Sequence, residues 1–466
     1  MRSIREVMES KNVVVYGASK DHTKAGAMLL DALKHSHLQG RIAGINPKGG
    51  EVHGVKLYPT IEDVPFEVDL ASIIIPPKAV PSAVSACARK DVKGVIISSE
   101  GFAESGEEGG AIQKEIRTIL KSSGMRGFGP NTLGIINTET GLTTSYFSDH
   151  NMLSPGSIGV VSQSGAFVGA LLKYLSSYPV YRLSKGLGLG NKIDVDEVDA
   201  LDYLKEDDKT RVIGLYLEDI RDGRRFVAAA REAVRHKPVL LLKGGRTQEG
   251  SRAAASHTAS LAVEDRVLQG ALHQAGVLSV RQPEELMAAF MGFQWAPLPK
   301  GNNLAYITYS GAQAIMCVDA TVEEGLTVAR FSKQTDERLS QVISTRGKRM
   351  NPIDIYPDMN RHGFEKTTTR ILKALLDDDD IHGIIFIGFA ADGGKNLFRP
   401  LVEMIKEKQN KPVFFSVLGA VAQMKEATDY LLAQKLPVYL FPERGVRVFS
   451  QMRRYAITLE QAGQPL

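Results

Sequence analysis

The feature that most constrains this chain is a repeated alternation of a short β-branched run, a turn of glycine or small residues, and a longer amphipathic stretch. Strand-sized runs fall at Asn12–Tyr16, Arg41–Asn46, Leu70–Ile75, Gly94–Ile97, Arg126–Phe128, Ser157–Ser162, Val180–Leu183, Val212–Leu217, Val239–Lys243, Leu304–Thr308, Gly383–Ile387 and Pro412–Ser416. Between them lie helical patterns such as Ala25–His35, Ala79–Ala88, Gly109–Lys121, Ala166–Ser176, Arg224–Arg235, Ala312–Glu323 and Leu397–Lys408. Strands buried on both faces and joined by helical crossovers make parallel sheets, so the expected class is α/β. With 466 residues the chain exceeds one ordinary core. Three units are expected: residues 1–147, 148–296 and 304–466, the last two separated by the turn-forming segment Pro297-Leu298-Pro299-Lys300-Gly301-Asn302-Asn303. The second and third open alike, Val161-Ser162-Gln163-Ser164-Gly165-Ala166 against Ile307-Thr308-Tyr309-Ser310-Gly311-Ala312, the mark of a duplicated domain.

Composition narrows the function classes. A net charge of +4 makes no case for nucleic acid, although a mildly basic surface suits a phosphorylated small ligand. The two cysteines, Cys87 and Cys317, are far apart and lack metal spacing, which argues against disulfides and metal sites and for a reducing, cytoplasmic setting. The first nine residues are charged and contain no apolar signal segment. The longest apolar runs, such as Leu70–Pro77, are strand-sized and fall short of the ~18 residues a membrane span needs.

Four places carry the chemistry. The first strand ends in Gly17-Ala18-Ser19 before a helix, an arrangement that attracts anions through free N–H groups and the helix dipole. The dinucleotide fingerprint is missing, and Asn46-Pro47-Lys48 follows the second strand where a ribose-binding acid would stand. Lysine there suits a phosphate, so a phosphorylated nucleotide such as coenzyme A fits better than a nicotinamide cofactor. Pro76 and Pro77 leave an open edge after the third strand. In the second unit, Ser162-Gln163-Ser164-Gly165 reads both as a phosphate cradle and as helix N-capping, and the two roles coexist. Glu218 ends a strand at the carboxyl edge, where a carboxylate either fixes the tautomer of a histidine or is merely solvated. Finally, Lys243-Gly244-Gly245-Arg246 opens a small-residue stretch ending in Ser256-His257-Thr258, read either as a nucleophilic imidazole on a mobile loop or as an incidental exposed histidine. The glycine-rich run Gly186–Asp196 is either pocket lining or plain loop, and Asp377–Asp380 is read as a solvated helix terminus. No nucleoside triphosphate motif is present, so a phosphohistidine here requires a partner protein.

Taken as an ordered set, these segments together with Ile75-Pro76-Pro77, Gly129-Pro130-Asn131-Thr132-Leu133-Gly134, Gly190-Asn191-Lys192 with Asp194, and Tyr216-Leu217-Glu218 carry a resemblance over nearly the whole chain. The chain resembles the α subunits of nucleoside-diphosphate-forming acyl-CoA synthetases, especially the ADP-forming acetyl-CoA synthetases, in the succinyl-CoA synthetase superfamily. The resemblance implies a Rossmann-like CoA-binding domain followed by two flavodoxin-like ligase domains. It implies that phosphate converts acyl-CoA to an acyl phosphate, that His257 takes up the phosphoryl group with Glu218 orienting it, and that Ser162, Gln163, Ser164 and Gly165 bind phosphate. It places coenzyme A on Gly17, Ala18, Ser19, Lys24, Asn46, Lys48, Ile75, Pro76 and Asn131. It puts ADP, ATP and Mg²⁺ on a separate ATP-grasp β subunit, in an assembly such as α2β2. The competing expectations are a CoA- or carbamoyl-transfer relative without phosphohistidine, and a non-catalytic CoA-binding protein. The chain departs from the family at Thr132, at Tyr309-Ser310-Gly311-Ala312-Gln313 and in the basic segment 344–349, where Arg346, Lys348 and Arg349 are candidates for an acyl carboxylate.

Overall fold

The computed structural model describes residues 2–146, 153–165, 178–258, 264–344, 349–390 and 394–465, without the side chains of 254–258. The expected helix Ala166–Ser176, the side chain of His257, and Arg346 and Lys348 lie outside the described residues. The chain divides into two compact units, Met1–Gln282 and Pro283–Leu466.

The first unit holds two seven-stranded sheets. In the first, the order is Gly50–Val52, Val55–Tyr58, Ile42–Ile45, Val13–Tyr16, Leu70–Ile73, Gly94–Ile97, Arg126–Phe128. Every neighbouring pair is parallel except the hairpin between the first two. Leaving out the outer hairpin strand, the sequential order is 3-2-1-4-5-6, which is the Rossmann arrangement. Each central strand is buried along its whole length, as a sheet covered on both faces requires.

In the second sheet the order is Leu278–Val280, Val239–Lys243, Val212–Leu217, Ile158–Ser162, Leu183–Gly188, Ile135–Asn137, Leu142–Thr143. Its five parallel strands run 2-1-3-4-5, the flavodoxin-like order. The last two are antiparallel additions supplied by the stretch directly after the first sheet. The strand expected at Val180–Leu183 begins instead at Leu183, after a 3-10 turn at Pro179–Tyr181, and runs to Gly188. The glycines that read as loop are strand residues because a neighbour presses on them: a Cβ at Gly188 would stand 2.4 Å from Thr132 Oγ1 and 2.7 Å from the Gly134 carbonyl.

The second unit repeats the flavodoxin-like plan around Asn303–Thr308, flanked by Thr327–Val328 on one side and by Gly383–Phe389 and Val413–Leu418 on the other. Short Ile353–Asp354 pairs with the upper end of Asn303–Thr308. Asn351 completes that edge: its Oδ1 accepts from Tyr306 N at 2.9 Å, and its Nδ2 donates to the carbonyls of Leu304 and Ala329 at 2.8 and 3.0 Å. Helix Pro283–Trp295 belongs to this unit, where Gly292 lies so close to helix Pro442–Gln461 that a Cβ would meet Val448 Cγ1 at 2.4 Å. Asp378, expected as a solvated acid, is buried and accepts from Ser332 N at 3.1 Å. Among the described residues no helix is long and apolar enough to cross a membrane.

Candidate functional site

In open α/β sheets, ligands bind outside the carboxyl ends of the strands where the strand order reverses. In the first sheet that point lies between Val13–Tyr16 and Leu70–Ile73. Gly17 stands there at φ +85°, and a Cβ would come 2.0 Å from the Ile74 carbonyl oxygen. Only glycine brings the two strand ends this close. Gly26 performs the same service in the first turn of helix Ala25–His35, 2.3 Å from the Gly17 carbonyl by the same measure. Asn46 Nδ2 donates to the Ala18 carbonyl at 2.6 Å, while its Oδ1 accepts from Lys48 N at 2.9 Å, so one side chain joins the turns of both candidate segments. Ser19 Oγ accepts from Asp21 N at 3.1 Å. Ile75 N donates to Ser99 Oγ at 3.0 Å, and Asn131, at φ +57°, donates its N–H to the Ser99 carbonyl at 2.9 Å. Lys24, Lys48 and Pro76 are exposed on this rim. The nine candidate residues of this domain therefore belong to adjoining turns on one edge.

The second reversal lies between Ile158–Ser162 and Val212–Leu217, and it separates the Ser162 turn from Glu218. Ser162 is buried and donates its hydroxyl to the Ser164 carbonyl at 2.9 Å, closing the turn. Gly165 packs on Leu133, whose Cγ would lie 3.1 Å from a Cβ. Gln163 is buried and its amide bonds to the neighbouring strand end: Oε1 accepts from Glu218 N at 2.8 Å and Asp219 N at 3.0 Å, and Nε2 donates to Asp219 Oδ1 at 2.6 Å. Its backbone N–H goes to the Tyr216 carbonyl at 2.9 Å. The backbone N–H of Gln163 and one of its two amide hydrogens are thus committed to the protein's own strand ends.

Glu218 is half-buried, with its carboxylate accepting from the Tyr216 hydroxyl at 3.2 Å. Burial first, and then the Glu218 charge, push the Tyr216 phenol up to about 12, so it stays a hydrogen-bond donor at neutral pH. Behind Glu218 lies a buried ionic group. Lys192 Nζ meets Asp219 Oδ1 at 2.6 Å, Glu197 Oε2 at 2.8 Å and the Asp219 carbonyl at 2.9 Å. Burial raises the Asp219 carboxyl, but the charge and hydrogen bond of Lys192, followed by the Gln163 amide, lower it by more and leave it below the ordinary range. Lys243 donates to the Glu218 carbonyl at 2.7 Å from the neighbouring strand.

The segment after Lys243 differs from the expected loop. Residues Gln248–Thr258 form a helix, opened by Thr247, whose Oγ1 accepts from Gly250 N at 3.0 Å, and by Ser251 Oγ donating to the Gly245 carbonyl at 2.7 Å. Small residues with good helix propensity, Ala253-Ala254-Ala255, sustain it. The backbone of His257 lies in its last turn. The helix contacts the Ala103–Ser105 turn on the carboxyl edge of the first sheet, so the histidine segment spans from the second crevice toward the first. Arg252 pairs with Glu249 at 2.8 Å. In the second unit Arg349 pairs with Asp336 at 3.1 Å, which occupies that acyl-carboxylate candidate.

The run Gly186–Asp196 joins the two crevices. A Cβ at Gly190 would meet the Pro130 carbonyl at 2.1 Å. Asn191 donates to Glu104 at 2.5 Å, and Asp194 accepts from Arg126 at 2.8 Å and Gly127 N at 2.9 Å. Burial drives both thiols, Cys87 and Cys317, up to about 12, so neither is a nucleophile at neutral pH.

Comparison with known proteins agrees with this architecture. A CoA binding domain matches residues 11–138, a succinyl-CoA ligase like flavodoxin domain residues 155–293, and a Ligase-CoA domain residues 304–462. Their order defines the class: a CoA ligase chain of the succinyl-CoA ligase type. The chain is 37% identical over 97% of its length to the ADP-forming acetate–CoA ligase II of Archaeoglobus fulgidus, covering 67% of that protein. The chain spans 67% and 63% of the lengths of the ADP-forming acetate–CoA ligases II and I of Archaeoglobus fulgidus. It is 34% identical to the α subunit of ADP-forming acetate–CoA ligase II of Pyrococcus furiosus, covering 93% of each chain. The structure of a dinucleotide forming acetyl-coenzyme A synthetase 1 of Ca. Korarchaeum cryptofilum, in complex with phosphate and ADP, superposes with a TM-score of 0.91 at 28% identity over 100% of both chains. The chain belongs to the family of ADP-forming acetate–CoA ligases, and it matches the part that in Pyrococcus furiosus is a separate α subunit.

Proposed function

We propose that this chain is the α subunit of an ADP-forming acyl-CoA synthetase, interconverting acyl-CoA, ADP and phosphate with a carboxylic acid, ATP and CoA. The observation that carries the reading is the convergence on one sheet edge of the Ser162–Gly165 turn, Glu218 and the segment leading into the helix of His257. In the thioester-cleaving direction, a phosphate oxygen attacks the thioester carbonyl, the C–S bond breaks, and CoA leaves as thiol. The acyl phosphate then loses its phosphoryl group to the imidazole nitrogen of His257, releasing the carboxylate. Glu218 accepts the proton on the other ring nitrogen and so keeps the attacking one free. Such transfers depend mainly on positioning and charge stabilisation. Ser162, Ser164 and Gly165 form the phosphate turn, and the sequence carries no nucleoside triphosphate motif. An ATP-grasp β subunit, holding ADP or ATP with Mg²⁺, takes the phosphoryl group onward in an assembly such as α2β2. The free thiols suit a cytoplasmic location.

The test uses the chain alone. Incubation with acetyl-CoA and labelled inorganic phosphate is expected to leave an acid-labile, base-stable phosphate on the protein. Tight CoA binding without label would favour a CoA-binding protein that lacks the phosphohistidine.

The first crevice supports coenzyme A through Gly17, Ala18, Ser19, Lys24, Asn46, Lys48, Ile75, Pro76 and Asn131. Gly17→Ala tests it. The left-handed backbone and the overlap with Ile74 force the strand ends apart at a cost of about 1–3 kcal/mol. CoA binding by calorimetry is expected to weaken roughly 10- to 100-fold, since about 1.4 kcal/mol is tenfold. Unchanged affinity would move CoA elsewhere.

A further inference from the structure

Gln163 sits inside the phosphate turn by sequence, yet its side-chain hydrogen bonds run across to the Glu218–Asp219 edge. Its Oε1 takes the two consecutive backbone N–H groups of Glu218 and Asp219, and its Nε2 grips the Asp219 carboxylate. The amide therefore bridges the point where the strand order reverses, between strands Ile158–Ser162 and Val212–Leu217 that pair without being consecutive in the chain. Asp219 is in turn fixed by buried Lys192, whose other partner Glu197 is 2% exposed. Glu218 projects from the far end of this chain of contacts, with only its side chain open to the crevice and steadied by Tyr216.

We infer that Gln163 is a positioning residue for the proposed reaction: it holds the Glu218 carboxylate at a fixed distance from the Ser162–Gly165 turn, and it is not a phosphate ligand. This rests on the assignment of Glu218 and His257 proposed above. The physical need is clear. The histidine is carried by its own helix, whereas the carboxylate that orients it and the turn that receives the phosphoryl group come from different strands. A tie between those strands makes them one rigid receptor, and misplacement by about 1 Å costs on the order of 10²-fold in rate.

The experiment measures the single-turnover rate of phosphoenzyme formation from acetyl-CoA and labelled phosphate, as a function of phosphate concentration and pH, for the full chain and two variants. Gln163→Met keeps the volume and removes all three side-chain bonds. Its maximal rate is expected to fall about 10²-fold while half-saturation by phosphate stays within about twofold, because no ground-state contact to phosphate is lost. Gln163→Glu keeps the acceptor for both N–H groups but sets a carboxylate against Asp219. Its rate is expected to be low at neutral pH and to recover as pH falls, since a proton shared between two facing carboxylates restores the donor. A mere loss of packing would show no such recovery. Three results overturn the inference: a Gln163→Met rate equal to wild type, a Gln163→Met defect confined to phosphate half-saturation, or a Gln163→Glu profile parallel to wild type. The last decides the matter even if Gln163→Met fails to fold. If wild type itself takes no label, the functional reading fails instead.

Discussion

His257→Ala is expected to take no label at all from acetyl-CoA and inorganic phosphate, a drop of ~10³-fold or more, on the scale seen when a covalent nucleophile is removed. CoA affinity is expected to be unchanged, because the candidate CoA residues lie on the first sheet's edge between Gly17 and Asn131 and are held by bonds to Ala18 and Ser99. The combination matters more than either half. Lost label with retained CoA binding separates the relay from the binding domain. Loss of both would mean that the helix Gln248–Thr258, which contacts the Ala103–Ser105 turn, supports the first crevice structurally. Retained label on the variant would remove His257 from the mechanism and favour a transferase that needs no phosphohistidine. Glu218→Gln should fall between wild type and His257→Ala, since the amide still accepts the imidazole N–H but no longer stabilises positive charge on the ring.

Much of this was legible in the sequence because parallel strands announce themselves as apolar runs between helical patterns. Gly94–Ile97, Val212–Leu217 and Val239–Lys243 are strands over the residues expected, and helix Ala25–His35 likewise. The class and domain order followed from that alternation and from the motifs at the strand ends. The partners of those motifs were hidden. Gln163 reads like a member of the phosphate turn, and only the pairing of Ser162 with Tyr216 turns its amide toward Glu218 and Asp219. Gly186–Gly188 resembles a loop in sequence because glycine avoids strands, but here the first domain's Thr132–Gly134 segment crowds that strand so closely that no side chain fits at Gly188. The His257 segment looked like a loop because Gly250 and a cluster of serines weaken the helical signal, which Thr247 and Ser251 restore by capping contacts. A side-chain cap requires three-dimensional closure of a turn, and no apolar period reports it.

The same limit conceals the largest stability effect expected in the chain. Lys192 appears in sequence as one polar residue in a glycine-rich run, yet it is 1% exposed and stands between two carboxylates that are 2% and 10% exposed. Lys192→Met is expected to destabilise the full chain by about 3–5 kcal/mol at neutral pH, because the substitution leaves Glu197 and Asp219 buried without their cation. Urea denaturation measures it. The sign with pH follows from the Asp219 carboxyl, which lies below its ordinary 3.8 in the wild type. That group's stabilisation is fully present above the unfolded value and is lost as pH falls through the folded one. Without Lys192, burial is opposed by only the Gln163 amide and the more distant Arg221, so the folded value rises and the stabilisation gained as pH rises through the carboxylate range is reduced. The gap between the two proteins should therefore be wide at neutral pH and narrow in acid. A triple variant that also carries Glu197→Gln and Asp219→Asn removes the stranded charges and should recover most of the loss, since an absent buried ion pair costs far less than half of one. A pH-independent gap, or no recovery in the triple variant, would show that Lys192 acts through its packing and backbone, at φ +53°, and that its charge does not hold the Glu218–Asp219 edge in place.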